Sequence, residues 1–160
     1  MVKLSTRAIH YSFSQNFSVS APEAFDWCTN YSPNDMALIQ EENARREVQR
    51  IAADTIILVD SYIDGQMSIE KRKLVCLYPN QLTWTATHLT GLNKYSQYLY
   101  EIKPETERTC SLRFAGHYLN HDSKQLGKEE VDEAGRKLKE MDSENWKLLA
   151  KKMEKELSRK

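Results

Sequence analysis

The sequence predicts an α+β fold: seven antiparallel strands in succession, two short helices after the first strand, and one long C-terminal helix. Three observations predict it. Segments of period-two alternation recur between His10 and Leu119, separated by short turn signals. Ser20-Ala21-Pro22-Glu23 has the Ser-x-x-Glu spacing of a capping box, with Pro in the first turn, directly after the first alternating segment. From about Ser123 the apolar residues switch to spacings of three and four within a Lys- and Glu-rich background.

The first strand spans His10 to Val19, with Tyr11, Phe13, Gln15, Phe17 and Val19 on one face and serines and an asparagine on the other. The helix after Pro22 carries Ala24, Phe25, Trp27 and Cys28 and stops near Tyr31-Ser32-Pro33. A second short helix is predicted over Asn34 to Glu42. Strands follow at Arg46–Ile51, Asp54–Ile63, Gln66–Tyr78, Gln81–Leu89, Lys94–Lys103 and Arg108–Leu119. Asp64-Gly65, Pro79-Asn80, Thr90 to Asn93 and Pro104 to Glu107 supply the turns. Connections this short imply an antiparallel meander. On the terminal helix Val131, Ala134, Leu138, Met141, Asn145, Leu148 and Lys152 form a stripe, widened by Trp146, Leu149, Met153 and Leu157. Gly135 weakens its first turns by about 1 kcal/mol.

The chain has 160 residues, the length of a single domain over 1–160. Lys plus Arg and Asp plus Glu each number 23, so a non-specific nucleic-acid binder is not expected. No run approaches the roughly 20 apolar residues that span a bilayer, so no integral membrane association is expected. No secretion signal is expected from the N-terminal residues. Cys28, Cys76 and Cys110 are far apart with no CxxC, and sit among apolar neighbours as small hydrophobes. A cytoplasmic location is the simplest reading.

Phe17-Ser18-Val19-Ser20-Ala21-Pro22-Glu23-Ala24-Phe25-Asp26-Trp27 resembles the opening of the START-like, birch-pollen-allergen-like superfamily (SRPBCC), in which a strand leads into a small-Ala-Pro turn and a helix. The element order is similar to that superfamily's helix-grip fold across nearly the whole chain, and polyketide cyclase-like members share both the opening and the closing helix. The resemblance implies a curved sheet wrapped around the long helix, with a ligand cavity between them. It implies no single activity, because the superfamily includes lipid carriers, hormone receptors, cyclases, chaperone activators and quinone-binding proteins. One departure is visible. Several members have a glycine-rich loop between two middle strands, where this chain has only the single glycines Gly65 and Gly91. A phosphate-binding role for that loop is not supported.

A curved sheet of seven strands has one concave face, and a single helix covers only a strip of it. Large side chains, water or a guest must fill the rest. Alternation places Leu82, Trp84, Ala86 and His88 inward on one strand, Tyr98, Tyr100 and Ile102 on the next, and Leu112, Phe114, Gly116 and Tyr118 on the last. Leu138, Met141, Asn145 and Leu148 would close the space from the helix. The expected ligand-binding set is therefore Trp84, Ala86, His88, Tyr98, Tyr100, Leu112, Phe114, Tyr118, Leu138, Met141 and Asn145. The aromatic members offer apolar area with a polar tip, whereas a core made for stability alone favours Leu, Ile and Val. Each residue also reads as plain core.

His88 could act as a general acid or base, or simply hydrogen-bond at the cavity edge. No catalytic residue is assigned. His117 and His121 are four apart but fall in a strand and the following loop, so no metal site is expected. Asp60 shares a face with Ile56, Leu58 and Tyr62, and Arg72 with Leu74, Cys76 and Tyr78. An inward Asp60–Arg72 pair would anchor a polar head, while the alternative leaves both in water. Lys71-Arg72-Lys73 alternates faces and is weak support for nucleic acid. No nucleotide, zinc-protease or nucleophile-elbow motif occurs, and no cofactor is expected.

The leading expectation is a soluble carrier or binder of a small hydrophobic ligand: a lipid, isoprenoid, quinone or polyketide-like ring compound. A cyclase or aromatase using His88 and tyrosines is one alternative. A protein-interaction module of the chaperone-activator type, using the outer sheet or the helix, is another.

Overall fold

A computed structural model describes residues 7–31, 44–121 and 126–159. Its strands are β1 (Arg7–Phe17), β2 (Arg45–Ala52), β3 (Thr55–Asp64), β4 (Met67–Tyr78), β5 (Thr83–His88), β6 (Gln97–Pro104) and β7 (Cys110–Asn120). Helix α1 (Ala21–Thr29) follows β1, and helix α2 (Lys128–Leu157) closes the chain. The short helix expected over Asn34 to Glu42 lies outside the described residues.

The strands form one antiparallel sheet in the order β1-β7-β6-β5-β4-β3-β2. Strands β2 to β7 follow one another as a meander, and β1 returns beside β7, with Tyr11 opposite Gly116 and Phe17 opposite Cys110. The open curved sheet with its long closing helix is the helix-grip fold.

Local chemistry explains the elements near the site. At the start of α1, Glu23 reaches back to accept from the Ser20 backbone N–H at 3.3 Å and its hydroxyl at 2.6 Å. Pro79–Gln81 forms a 3-10 turn, closed by Leu82 in the left-handed region at φ 49°. That turn delays β5 to Thr83, two residues later than the sequence suggests. The tight Asp64-Gly65 turn forms as expected, with Gly65 at φ 60°.

Alternation sorts the faces as the sequence predicts. Ile9, Tyr11 and Phe17 are buried on β1; Trp84 and Ala86 on β5; Tyr98 and Ile102 on β6; Leu112 and Phe114 on β7. One end of the fold is packed solid: Phe17, Val19, Ile102, Cys110 and Leu112 meet Ala150 and Met153 of α2 and the inner face of α1. Each large apolar side chain buried there contributes about 1.5–3 kcal/mol.

The face of α2 turned to the sheet differs from the expected stripe. Gly135, Ala150 and Met153 are buried, whereas Met141 is 54% and Leu148 47% exposed. The inner seam runs through Gly135, Leu138, Asp142, Trp146, Leu149, Met153 and Leu157, about one residue from the predicted line. Gly135 packs on β1 at this seam, where a Cβ would meet Ile9 Cγ2 at 3.4 Å.

Candidate functional site

Helix α2 is held against the rest of the fold at both ends. Gly135 lies on β1 near its start. Towards its end Glu154 accepts from the Ser18 backbone N–H at 2.8 Å, and Glu156 accepts from the Trp27 indole at 2.7 Å. Between these anchors, over Leu138 to Leu149, the helix bridges a cavity of about 460 Å³ walled by side chains from all seven strands. That volume falls within the range of small-molecule sites, about 300–1,000 Å³.

Rings packed against one another form much of the wall. Phe25 meets Trp84 edge-on at 5.9 Å between centroids, and Trp84 stacks on Tyr100 at 4.9 Å with 2° between their planes. Tyr100 meets Phe114 at 5.2 Å, Phe114 meets Tyr98 at 5.8 Å, and Tyr98 meets His88 at 5.1 Å. Such pairs add about 0.5–1.5 kcal/mol each beyond area burial and resist collapse into the space. Trp146 of α2 packs on both Tyr100 and Trp84, at 5.8 Å and 6.5 Å. All three tryptophans, Trp27, Trp84 and Trp146, line the cavity.

Of the residues singled out from the sequence, Trp84, Ala86, His88, Tyr98, Tyr100, Phe114, Tyr118, Leu138, Met141 and Asn145 all line this space. Leu112 does not. It lies one inward step along β7 from Phe114, at the solid end, where it is fully buried. Met141 sits at the rim rather than in a lid, because α2 is rotated.

Three polar features were not foreseen. The first is a buried ion cluster. Asp60 is 1% exposed and accepts from Arg46 Nε at 2.7 Å and Nη2 at 2.9 Å, and from Lys73 Nζ at 3.2 Å. Burial alone would raise its carboxyl, but the Arg46 hydrogen bonds and the Lys73 charge hold it below the ordinary value. Burial pushes the Lys73 ammonium down, and the Asp60 charge opposes this. Asp60 therefore faces inward, but its partners are Arg46 and Lys73. Arg72 turns outward to Glu70 at 2.8 Å, so the inward Asp60–Arg72 pair does not form.

The second feature is a dyad across the cavity. Tyr11 donates its hydroxyl proton to Asp142 Oδ2 at 2.5 Å. Gly116 makes this reach possible: a Cβ there would lie 2.6 Å from Tyr11 Cε1, so only glycine leaves room for the ring to lie over β7. Burial raises the Asp142 carboxyl, with the Tyr11 hydrogen bond pulling the other way. Tyr98 is pushed up to about 12, first by burial and then by the Asp142 charge.

The third is the state of His88. Burial, then the charge of Lys73, lowers its pKa to about 4, so the ring is neutral at pH 7. Its Nδ1 is buried and has no hydrogen-bond partner among the described residues. Among those residues no cluster of three metal-ligating side chains occurs, and no helix is long and apolar enough to cross a membrane.

No family model matches the sequence, and no curated protein matches it. Solved structures do match. The norcoclaurine synthase from Thalictrum flavum in complex with dopamine and hydroxybenzaldehyde is similar at TM-score 0.70 and 13% identity, covering 99% of this chain and 91% of that one. The Zhui aromatase/cyclase from Streptomyces sp. R1128 matches at TM-score 0.68 and 9% identity, over 96% and 95% of the two chains. Ara h 8.0201 matches at 0.66 and 7%, over 92% and 98%. At these identities the likeness establishes the shared helix-grip fold.

Proposed function

We propose that this chain forms one domain that binds a small, largely apolar ring compound between the sheet and α2, as a carrier or sequestering protein. The single observation that supports this best is the cavity itself, about 460 Å³ bridged by a helix anchored at both ends. Trp84, Tyr98, Tyr100, Phe114, Tyr118, Leu138 and Ala86 would exclude water from the guest, while Asn145 and the neutral His88 would fix its orientation. An orphaned imidazole nitrogen at the wall gains a partner when such a guest presents a polar atom. The reduced Cys28, Cys76 and Cys110 fit a reducing cytoplasm.

Neutral N-phenyl-1-naphthylamine tests the reading, because it fluoresces on leaving water and accepts energy from tryptophan. The expected result is saturable binding at one site with a Kd in the micromolar range, about 8 kcal/mol. Ala86→Phe, which places a ring in the space, should weaken it more than tenfold while the unfolding transition stays cooperative. No saturable binding to the wild type, or binding indifferent to Ala86→Phe, would reject the proposal.

A cyclase-like activity is the second reading, favoured by the Tyr11–Asp142 dyad and by the fold shared with an aromatase/cyclase. His88 at about 4 is a weak base at pH 7 and carries almost no proton to give, which makes it a poor general catalyst and a good neutral hydrogen-bonding group. Turnover lost in Tyr11→Phe with ligand affinity retained would favour catalysis over carriage.

A further inference from the structure

We propose that the guest is an amphiphilic acid, with its apolar body against the aromatic wall and one carboxylate or sulfonate group held by Lys71 and Lys73. This inference rests on the cavity being a binding site and names the chemistry of its occupant.

Charge placement carries the argument. Within Lys71-Arg72-Lys73 the strand's alternation turns Arg72 out to Glu70 and brings both lysines to the cavity wall, beside Arg46. Against these three cations stands Asp60, whose two oxygens already accept three hydrogen bonds from Arg46 and Lys73. Among the described residues the cluster therefore holds two more positive charges than negative ones. Lys73 gives one of its three N–H groups to Asp60, and its side chain is only 24% exposed. Lys71 has no ion-pair partner among the described residues; its ammonium lies 5.3 Å from the centre of the Tyr62 ring. Cations drawn out of water next to an apolar space favour an anion that can enter it.

Two further observations agree. Asp142, the only carboxylate among the described wall residues, already accepts the Tyr11 hydrogen bond, which offsets part of its charge. His88 lies directly opposite Lys73 across the β4–β5 ladder, and its buried Nδ1 lacks a partner. Protonated at that nitrogen, the ring would donate to an acid oxygen placed at Lys73.

Two probes that share a ring scaffold test this: neutral N-phenyl-1-naphthylamine and anionic 8-anilinonaphthalene-1-sulfonate. The wild type should bind the sulfonate at least tenfold more tightly. Lys71→Gln and Lys73→Met should each abolish most of that preference and change affinity for the neutral probe less than twofold. Lys71 reaches the rim, so its variant remains informative if Lys73→Met folds poorly. Equal affinity for the two probes, or equal weakening of both in the Lys71→Gln variant, would overturn the inference while leaving the cavity intact. Failure of both probes to bind the wild type would reject the cavity reading and this inference together.

Discussion

Replacing Asp60 by Asn keeps the shape of the side chain and removes the anion that bridges Arg46 and Lys73. The Arg46 and Asp60 side chains are 8% and 2% exposed, so water cannot easily replace the lost charge. Removing one partner from a buried ion pair costs about 3–5 kcal/mol, because an uncompensated charge is left behind. In a domain of this size each kcal/mol shifts Tm by about 2–4 °C, so the variant should melt about 6–20 °C lower. Urea denaturation followed by tryptophan fluorescence at pH 7 measures the free energy directly. The pH dependence adds a signature. The Asp60 carboxyl is held below its unfolded value, so its contribution is complete above about pH 4 and is lost as pH falls through the folded value. The gap between wild type and variant should therefore close in acid. A loss below about 1 kcal/mol at pH 7, or a gap that does not change with pH, would refute the reasoning.

Two further outcomes are expected. His88 titrates near 4 when folded and near 6.5 when unfolded, so neutral His88 favours the fold above about pH 6.5, and up to about 3 kcal/mol is lost as pH falls towards 4. His88→Asn should lack that share of the acid slope in urea titrations run in parallel with the wild type. Asp142, displaced upward, titrates with the opposite sign in both proteins and cancels from the comparison. Gly116→Ala puts a Cβ into the Tyr11 ring and should destabilise by about 1–3 kcal/mol. A Gly116→Ala cost that vanishes in a Tyr11→Leu background would show that the ring is the obstacle, and an unaltered Tm in Gly116→Ala alone would show that it is not.

The succession of strands and their side-chain facing were legible because period-two alternation is a local property, whereas the return of β1 beside β7 is not local and was not. Trp84, Ala86, Tyr98, Tyr100 and Phe114 follow from the alternation directly. The rotation of α2 was not legible. By hydropathy Met141 and Leu148 belong inside and Asp142 outside. In the folded chain Gly135 packs on Ile9, and the Tyr11 hydroxyl satisfies Asp142, so a carboxylate sits on the inner seam. Both partners lie on β1, more than a hundred residues away in the chain. The ion cluster was hidden for a similar reason. Asp60 and Lys73 are 13 apart and Arg46 and Asp60 14 apart, and only the pairing of β2, β3 and β4 places Asp60 opposite Arg46 and close to Lys73. The alternation of Lys71, Arg72 and Lys73 was visible in the sequence, and it sends two of the three to the cavity.

Selective ¹⁵N labelling of the Trp27, Trp84 and Trp146 indoles tests the central claim most directly, since all three rings border the cavity. Titration with N-phenyl-1-naphthylamine should shift all three indole N–H resonances together, saturating at one equivalent. Three unmoved resonances in the presence of a bound, fluorescent probe would mean that the probe sits on the outer surface and that the space beneath α2 takes no guest.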